Sequence, residues 1–137
     1  AAEESDAATD AQYYYELAVA CYKGGNSPKA FESALKAAED QTLAGKAYMI
    51  MGTIWASTSC GGNDIERRAP YWVAVDYLNK AKAADETLTE EVNKLSASYR
   101  QYFPKTEDAF MYDLTDGKPY TISCGGMSAT TTVRTTK

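Results

Sequence analysis

Tyr14-Tyr-Glu-Leu-Ala-Val-Ala-Cys21 and, 34 residues further on, Tyr48-Met-Ile-Met-Gly-Thr-Ile-Trp55 decide how this chain folds. In the first stretch Tyr14, Leu17, Ala18 and Cys21 recur at spacings of three and four, which is one face of a helix. The shift sets Tyr14 on Tyr48, Leu17 on Met51, Ala18 on Gly52 and Cys21 on Trp55. Size class or apolar character survives in every pair but the last, where indole replaces a thiol. A period near 34 marks stacked helix pairs, because one helical hairpin cannot bury its apolar face alone.

Downstream of the first stretch, Gly24-Gly25 ends the helix, and Ser27 is the expected N-cap of the next, with Pro28 at its first position. Ala30, Ala34, Ala37 and Ala38 then form a face of small residues that lets two helix backbones approach closely. In the second unit Ala74, Leu78 and Ala81 have the matching spacing. Cys21 and Ala30 lie nine residues apart, whereas Trp55 and Ala74 lie nineteen apart, so ten extra residues are expected as an inserted loop over 57–70. Such a loop costs little stability. Thr87-Leu-Thr-Glu90 has the form of a capping box ahead of Val92, Leu95, Tyr99 and Tyr102, which predicts a capping helix over 88–102.

Beyond Phe103-Pro104 a short turn of helix is expected within 106–112, and then the period changes. Tyr120, Ile122 and Cys124 alternate with Thr121 and Ser123, and Gly125-Gly126 is a hairpin turn. Pairing across it sets Cys124 against Met127, Ile122 against Ala129 and Tyr120 against Thr131, all on one face, within a β-hairpin over 120–135. The expected architecture is mainly α: antiparallel helical hairpins over 11–42 and 45–86, a capping helix, and a C-terminal extension over 103–137 that carries the hairpin.

Composition limits the chemistry. The chain has 137 residues, 14 Lys and Arg against 19 Asp and Glu for a net charge of −5, and no His. An acidic chain without a basic stripe argues against nucleic acid or anionic membranes as partners, and no run of apolar residues is long enough to insert in a bilayer. Without His the commonest general base and metal ligand are missing. There is no GxxxxGK[ST] or GxGxxG, and the acidic residues Glu39-Asp40, Glu66, Glu90-Glu91 and Glu107-Asp108 lack the apolar surroundings that raise a carboxyl pKa. No metal, cofactor or catalytic residue is therefore expected.

The chain begins AAEESDAATD, with four acids and no base over residues 1–10, which predicts a frayed acidic tail. Starting at Ala1 rather than Met, it reads as a processed or trimmed product. Residues 117–137 carry Lys118, Arg134 and Lys137 and no acid. Cys21 lies in an apolar helical stretch and behaves as a small hydrophobe. Cys60 and Cys124 each sit in a Ser-Cys-Gly-Gly loop, so they form either a disulfide that pins the hairpin to the inserted loop or two unrelated free thiols.

Set against the repeat pattern W-x2-L-G-x2-Y…A-x3-F…A, the positions above make residues 11–86 resemble the tetratricopeptide-repeat family. The resemblance implies a right-handed superhelical stack whose first helices line a concave groove. The groove positions would be Gln12, Tyr15, Val19, Tyr22 and Lys23 in the first unit and Lys46, Met49, Thr53, Ala56 and Ser57 in the second. Alternatively, Tyr15 and Tyr22 pack on neighbouring helices or the C-terminal hairpin. Members that clamp a peptide carboxylate have Lys and Asn where Tyr15 and Val19 stand, so that clamp is absent here.

A narrower resemblance rests on Tyr71-Trp-Val-Ala-Val-Asp-Tyr-Leu-Asn-Lys-Ala-Lys-Ala-Ala-Asp85, Tyr102-Phe-Pro-Lys-Thr-Glu-Asp-Ala-Phe-Met-Tyr112 and Thr131-Thr-Val-Arg-Thr-Thr136. These segments are similar to the C-terminal part of exported tetratricopeptide proteins of Gram-negative envelopes. That implies a periplasmic or envelope location and a signal peptide outside this chain. The function expected is non-catalytic: a scaffold or adaptor that holds a peptide or protein segment on its helical groove. The alternative is a structural C-terminal cap of a longer repeat protein with no binding site of its own.

Overall fold

The computed structural model describes residues 7–58, 62–124 and 126–136. Four long helices come first: α1 (Ala7–Lys23), α2 (Ser27–Ala37), α3 (Gln41–Ser57) and α4 (Asp64–Ala84). A 3-10 turn (Glu86–Leu88), α5 (Thr89–Arg100), the one-turn α6 (Thr106–Phe110) and the strands β1 (Pro119–Cys124) and β2 (Met127–Thr132) follow. The chain is thus mainly helical with a small antiparallel hairpin at its C-terminus. Each long helix packs on its neighbour in sequence, and α1 also touches α3.

Local chemistry places the boundaries. Gly25, at φ 83°, provides the left-handed residue that turns the chain out of α1. The cap of α2 is Asn26 rather than Ser27: its side-chain oxygen accepts from the Lys29 N–H at 3.3 Å, so Ser27 becomes the first helical residue. Asp40 caps α3 by accepting from the Thr42 N–H at 2.7 Å. Residues 7–10, expected in the frayed tail, lie within α1, while residues 1–6 fall outside the described part.

The inserted loop is shorter than the expected 57–70. Asn63 and Glu66 form a reciprocal capping box, with Glu66 N–H donating to Asn63 Oδ1 at 2.8 Å and Asn63 N–H to Glu66 Oε1 at 3.2 Å. Helix therefore begins at Asp64 and runs through Pro70. Proline inside a helix forfeits one backbone hydrogen bond. Here Ile65, Ala69 and Pro70 are buried, and that burial holds the extra turn in place. Most of the ten added residues thus lengthen α4.

The core confirms the faces read from the sequence. Ala18, Ala30, Ala34, Ala37, Met51, Trp55, Ala74, Leu78 and Ala81 are buried, and Tyr14 and Tyr48 are half-buried. A Cβ on Gly52 would lie 2.9 Å from the Ala74 carbonyl oxygen, so α3 and α4 touch almost backbone to backbone there. Trp55 packs edge-on against Phe31 with centroids 6.3 Å apart. Burying an indole of this size contributes on the order of 3 kcal/mol.

The capping helix differs at its start. Asp85, not Thr87, organises the turn: its Oδ1 accepts from Thr87 N–H at 3.0 Å and Thr87 Oγ1 at 2.6 Å. With its hydroxyl so engaged, Thr87 cannot cap, and α5 starts at Thr89 with no side-chain cap. Val92 nonetheless packs with Leu78 and Ala81, covering the apolar end of the last helix pair.

The hairpin has the expected register, with Cys124 opposite Met127, Ile122 opposite Ala129 and Tyr120 opposite Thr131. Its second strand ends at Thr132 rather than 135. Ile122, Met127 and Val133 join the main core with Trp72 and Val73 of α4. Polar bonds fasten this seam: Trp72 Nε1 donates to the Arg134 carbonyl at 2.8 Å, and Arg134 Nη1 donates to the Trp72 carbonyl at 3.1 Å. Arg134 Nη2 and Thr131 Oγ1 both bind the Asp76 carboxylate. Cys60 and the Cys124 side chain lie outside the described residues, and so does the expected disulfide; Cys21 is a half-buried free thiol.

Candidate functional site

On α1, Tyr15, Val19 and Tyr22 stand at intervals of four and three, and on α3 Lys46, Met49 and Thr53 do the same in the opposite order. Met49 also packs against the cluster of Leu78, Ala81 and Val92 at the end of α4. Because α1 packs against α3, the two rows form adjacent walls of one groove. Tyr15, Val19, Tyr22, Lys23, Lys46, Met49 and Thr53 line it together with Ile50, Leu88 and Glu91, around a volume of about 400 Å³.

Seven of the ten expected groove positions are thereby brought together, and Ala56 and Ser57 near the end of α3 are not among the lining residues. Gln12 is not among the lining residues and is exposed one turn before Tyr15. Tyr22 serves both expected roles, since it lines the groove and also packs against the main core. The sequence reading missed Ile50, Leu88 and Glu91. Leu88 and Glu91 come from the turn and helix that cap the second hairpin. Their signal was the capping helix itself: a helix stacked beyond α4 presents its start to the same groove.

The lining is apolar at its centre and charged at its borders, with Lys23 on α1, Lys46 on α3 and Glu91 on α5. The Asp85 carboxyl is held below its ordinary range, chiefly by the Thr87 hydroxyl, then by the Thr87 N–H, with Lys46 adding to the effect. Close to Thr53 and Tyr22 lies the half-buried phenol of Tyr99, whose pKa burial pushes upward while its hydrogen bond with Thr53 pulls the other way. Tyr71 continues this aromatic series, 5.9 Å from Tyr99 and stacked on Tyr102 at 4.7 Å.

Several of the acidic residues flagged in the sequence have structural duties, while Glu91 lines the groove. Asp40 caps α3, Glu66 completes the α4 capping box, Glu90 lies 3.7 Å from Lys94, and Glu107 and Asp108 occupy the first turn of α6. Among the described residues no group of three or more Asp, Glu or Cys is placed to hold a metal, and no helix is long and apolar enough to cross a membrane. The groove offers aromatic and thioether contact area between ammonium groups, a surface suited to holding a ligand.

The described residues thus form a mainly helical fold with a C-terminal hairpin and one groove lined from α1, α3 and the start of α5. The chain matches no protein-family model, no curated protein and no solved structure.

Proposed function

We propose that this chain is a tetratricopeptide-like interaction module of the cell envelope, a non-catalytic scaffold or adaptor that holds an extended or helical segment of a partner protein in the α1–α3–α5 groove. The observation that carries this reading is the convergence of Tyr15, Val19, Tyr22, Lys23, Lys46, Met49 and Thr53 on one channel. The order of helix contacts supports a superhelical stack, in which successive first helices form one continuous inner surface. An apolar segment with acidic groups near Lys23 and Lys46 would meet both the centre and the borders of the channel.

Affinity capture from a native envelope extract tests the reading, comparing the chain with a Tyr15→Ala, Met49→Ala variant of matched thermal stability. A protein retained by the former and lost by the latter is the expected result. Equal retention would show that the partner is not held in the groove.

A second reading has its own support. Two helical hairpins are fewer than the roughly three that a repeat array needs for stability, and α5 already closes one end of the stack through Val92. The chain would then be the structural C-terminal cap of a longer repeat protein, with the binding surface upstream.

A further inference from the structure

A second cleft, also of about 400 Å³, opens between α4 and β2, where Val73, Asp76, Tyr77, Asn79 and Lys80 face residues 128–130 of the strand. Its chemistry is set by the backbone. In an antiparallel ladder, alternate residues point their N–H and C=O groups toward the paired strand and away from it. The Val133 N–H donates to the Lys118 carbonyl at 2.9 Å, and the register pairs Cys124 with Met127 across a two-residue turn. Residues 127, 129, 131 and 133 therefore face β1, and Ser128, Thr130 and Thr132 turn their backbone groups outward. Ser128 and Thr130 are exposed and border the cleft, and no hydrogen bond among the described residues engages their outward groups. The opposite edge of the hairpin is interrupted by Pro119, which has no N–H to offer.

Charge narrows the occupant further. Both oxygens of Asp76 are taken, one by Arg134 and one by Thr131, so this carboxylate is neutralised within the fold. Lys80 holds its ammonium 4.9 Å from the Tyr77 ring centroid and 6.0 Å from that of Tyr48, with no carboxylate partner among the described residues. Among the described residues the cleft thus combines an unpaired strand edge with one ammonium group that no carboxylate neutralises.

We infer that the β2 edge is a docking site for an extended segment of a partner protein, which adds to the hairpin as a third strand and sets an acidic side chain beside Lys80. Main-chain hydrogen bonds to Ser128 and Thr130 give such a segment its hold, and the Lys80 contact gives it selectivity. This site is separate from the α1–α3–α5 groove and does not depend on the function proposed for it.

A display library of random nonapeptides selected on the full chain tests the inference. Enriched sequences are expected to place Asp or Glu within an alternating β-branched context. Thr130→Pro removes one outward N–H but leaves the inward bonds of Ala129 and Thr131, so it is expected to weaken an enriched peptide about tenfold, the worth of one hydrogen bond. Lys80→Glu, at an exposed position, is expected to shift the selection toward Lys and Arg without changing the fold. Amide exchange of the unaltered chain, saturated with the enriched peptide, should slow at Ser128 and Thr130. The inference is overturned if no sequence is enriched, if Lys80→Glu selects the same peptides, or if protection falls on α1 and α3 instead. Should Thr130→Pro fail to fold, the exchange data and the Lys80→Glu selection decide alone.

Discussion

Trp72 joins two parts of the chain that are 62 residues apart. Its ring is buried and meets Tyr120 of the hairpin edge-on at 5.4 Å, its Nε1 donates to the Arg134 carbonyl, and its own carbonyl accepts from the Arg134 guanidinium. Trp72→Phe keeps much of the apolar bulk but strands a carbonyl, so it should cost about 1–3 kcal/mol in urea unfolding. An unchanged midpoint would show that the bond is not formed. The tyrosines make a second test at this scale. Burial raises the pKa of Tyr77, Tyr99 and Tyr120 above the ordinary 10.0. A raised folded value means that the native state holds its proton more tightly, so the stabilisation is complete below pH about 10 and fades as pH rises through the folded values. Unfolding midpoints should fall in that alkaline window, and phenolate absorbance should show these three groups titrating above the ordinary 10.0. Such buried residues were the most legible in the sequence, since Ala18, Gly52, Ala74 and Leu78 sit at helical spacings that only one face can satisfy.

Elements were less legible at their ends. The α1, α3 and α4 faces and the hairpin register follow from periodicity, because a slip of one residue would turn Ile122 and Met127 to solvent. Boundaries depend on which of several side chains reaches an amide first. Asn26 precedes Ser27, Asp85 takes the hydroxyl of Thr87, and the Asn63 and Glu66 pair starts α4 ahead of a proline that reads as loop. The hairpin turn lies near the start of α2, where a Cβ on Gly126 would come within 2.8 Å of the Pro28 ring. The end of α3 reaches the same region through Trp55 and Phe31. A bridge between Cys60 and Cys124 would join the loop after α3 to that turn. Protein prepared under oxidising conditions and alkylated in denaturant without reductant should then show one labelled thiol, Cys21. Three labelled thiols would exclude the bridge.

For the whole molecule, the neighbour-on-neighbour packing of α1 to α5 makes a channel from residues that are far apart in sequence. Seven lining positions were legible only through the tetratricopeptide resemblance, which assigns particular positions of each first helix to a groove; the helical period alone gives the buried face. Leu88 and Glu91 were not, since their place depends on how α5 stacks beyond α4, and no spacing within a single helix encodes that. The proposed role of this channel is to hold a protein segment. The most direct measurement places a photo-crosslinking amino acid at position 15, in the channel, and separately at position 29, exposed on α2, and irradiates each chain in a native envelope extract. A discrete adduct from position 15 that is missing from position 29 is the predicted result. Identical adducts from both positions, or none from position 15, would contradict it.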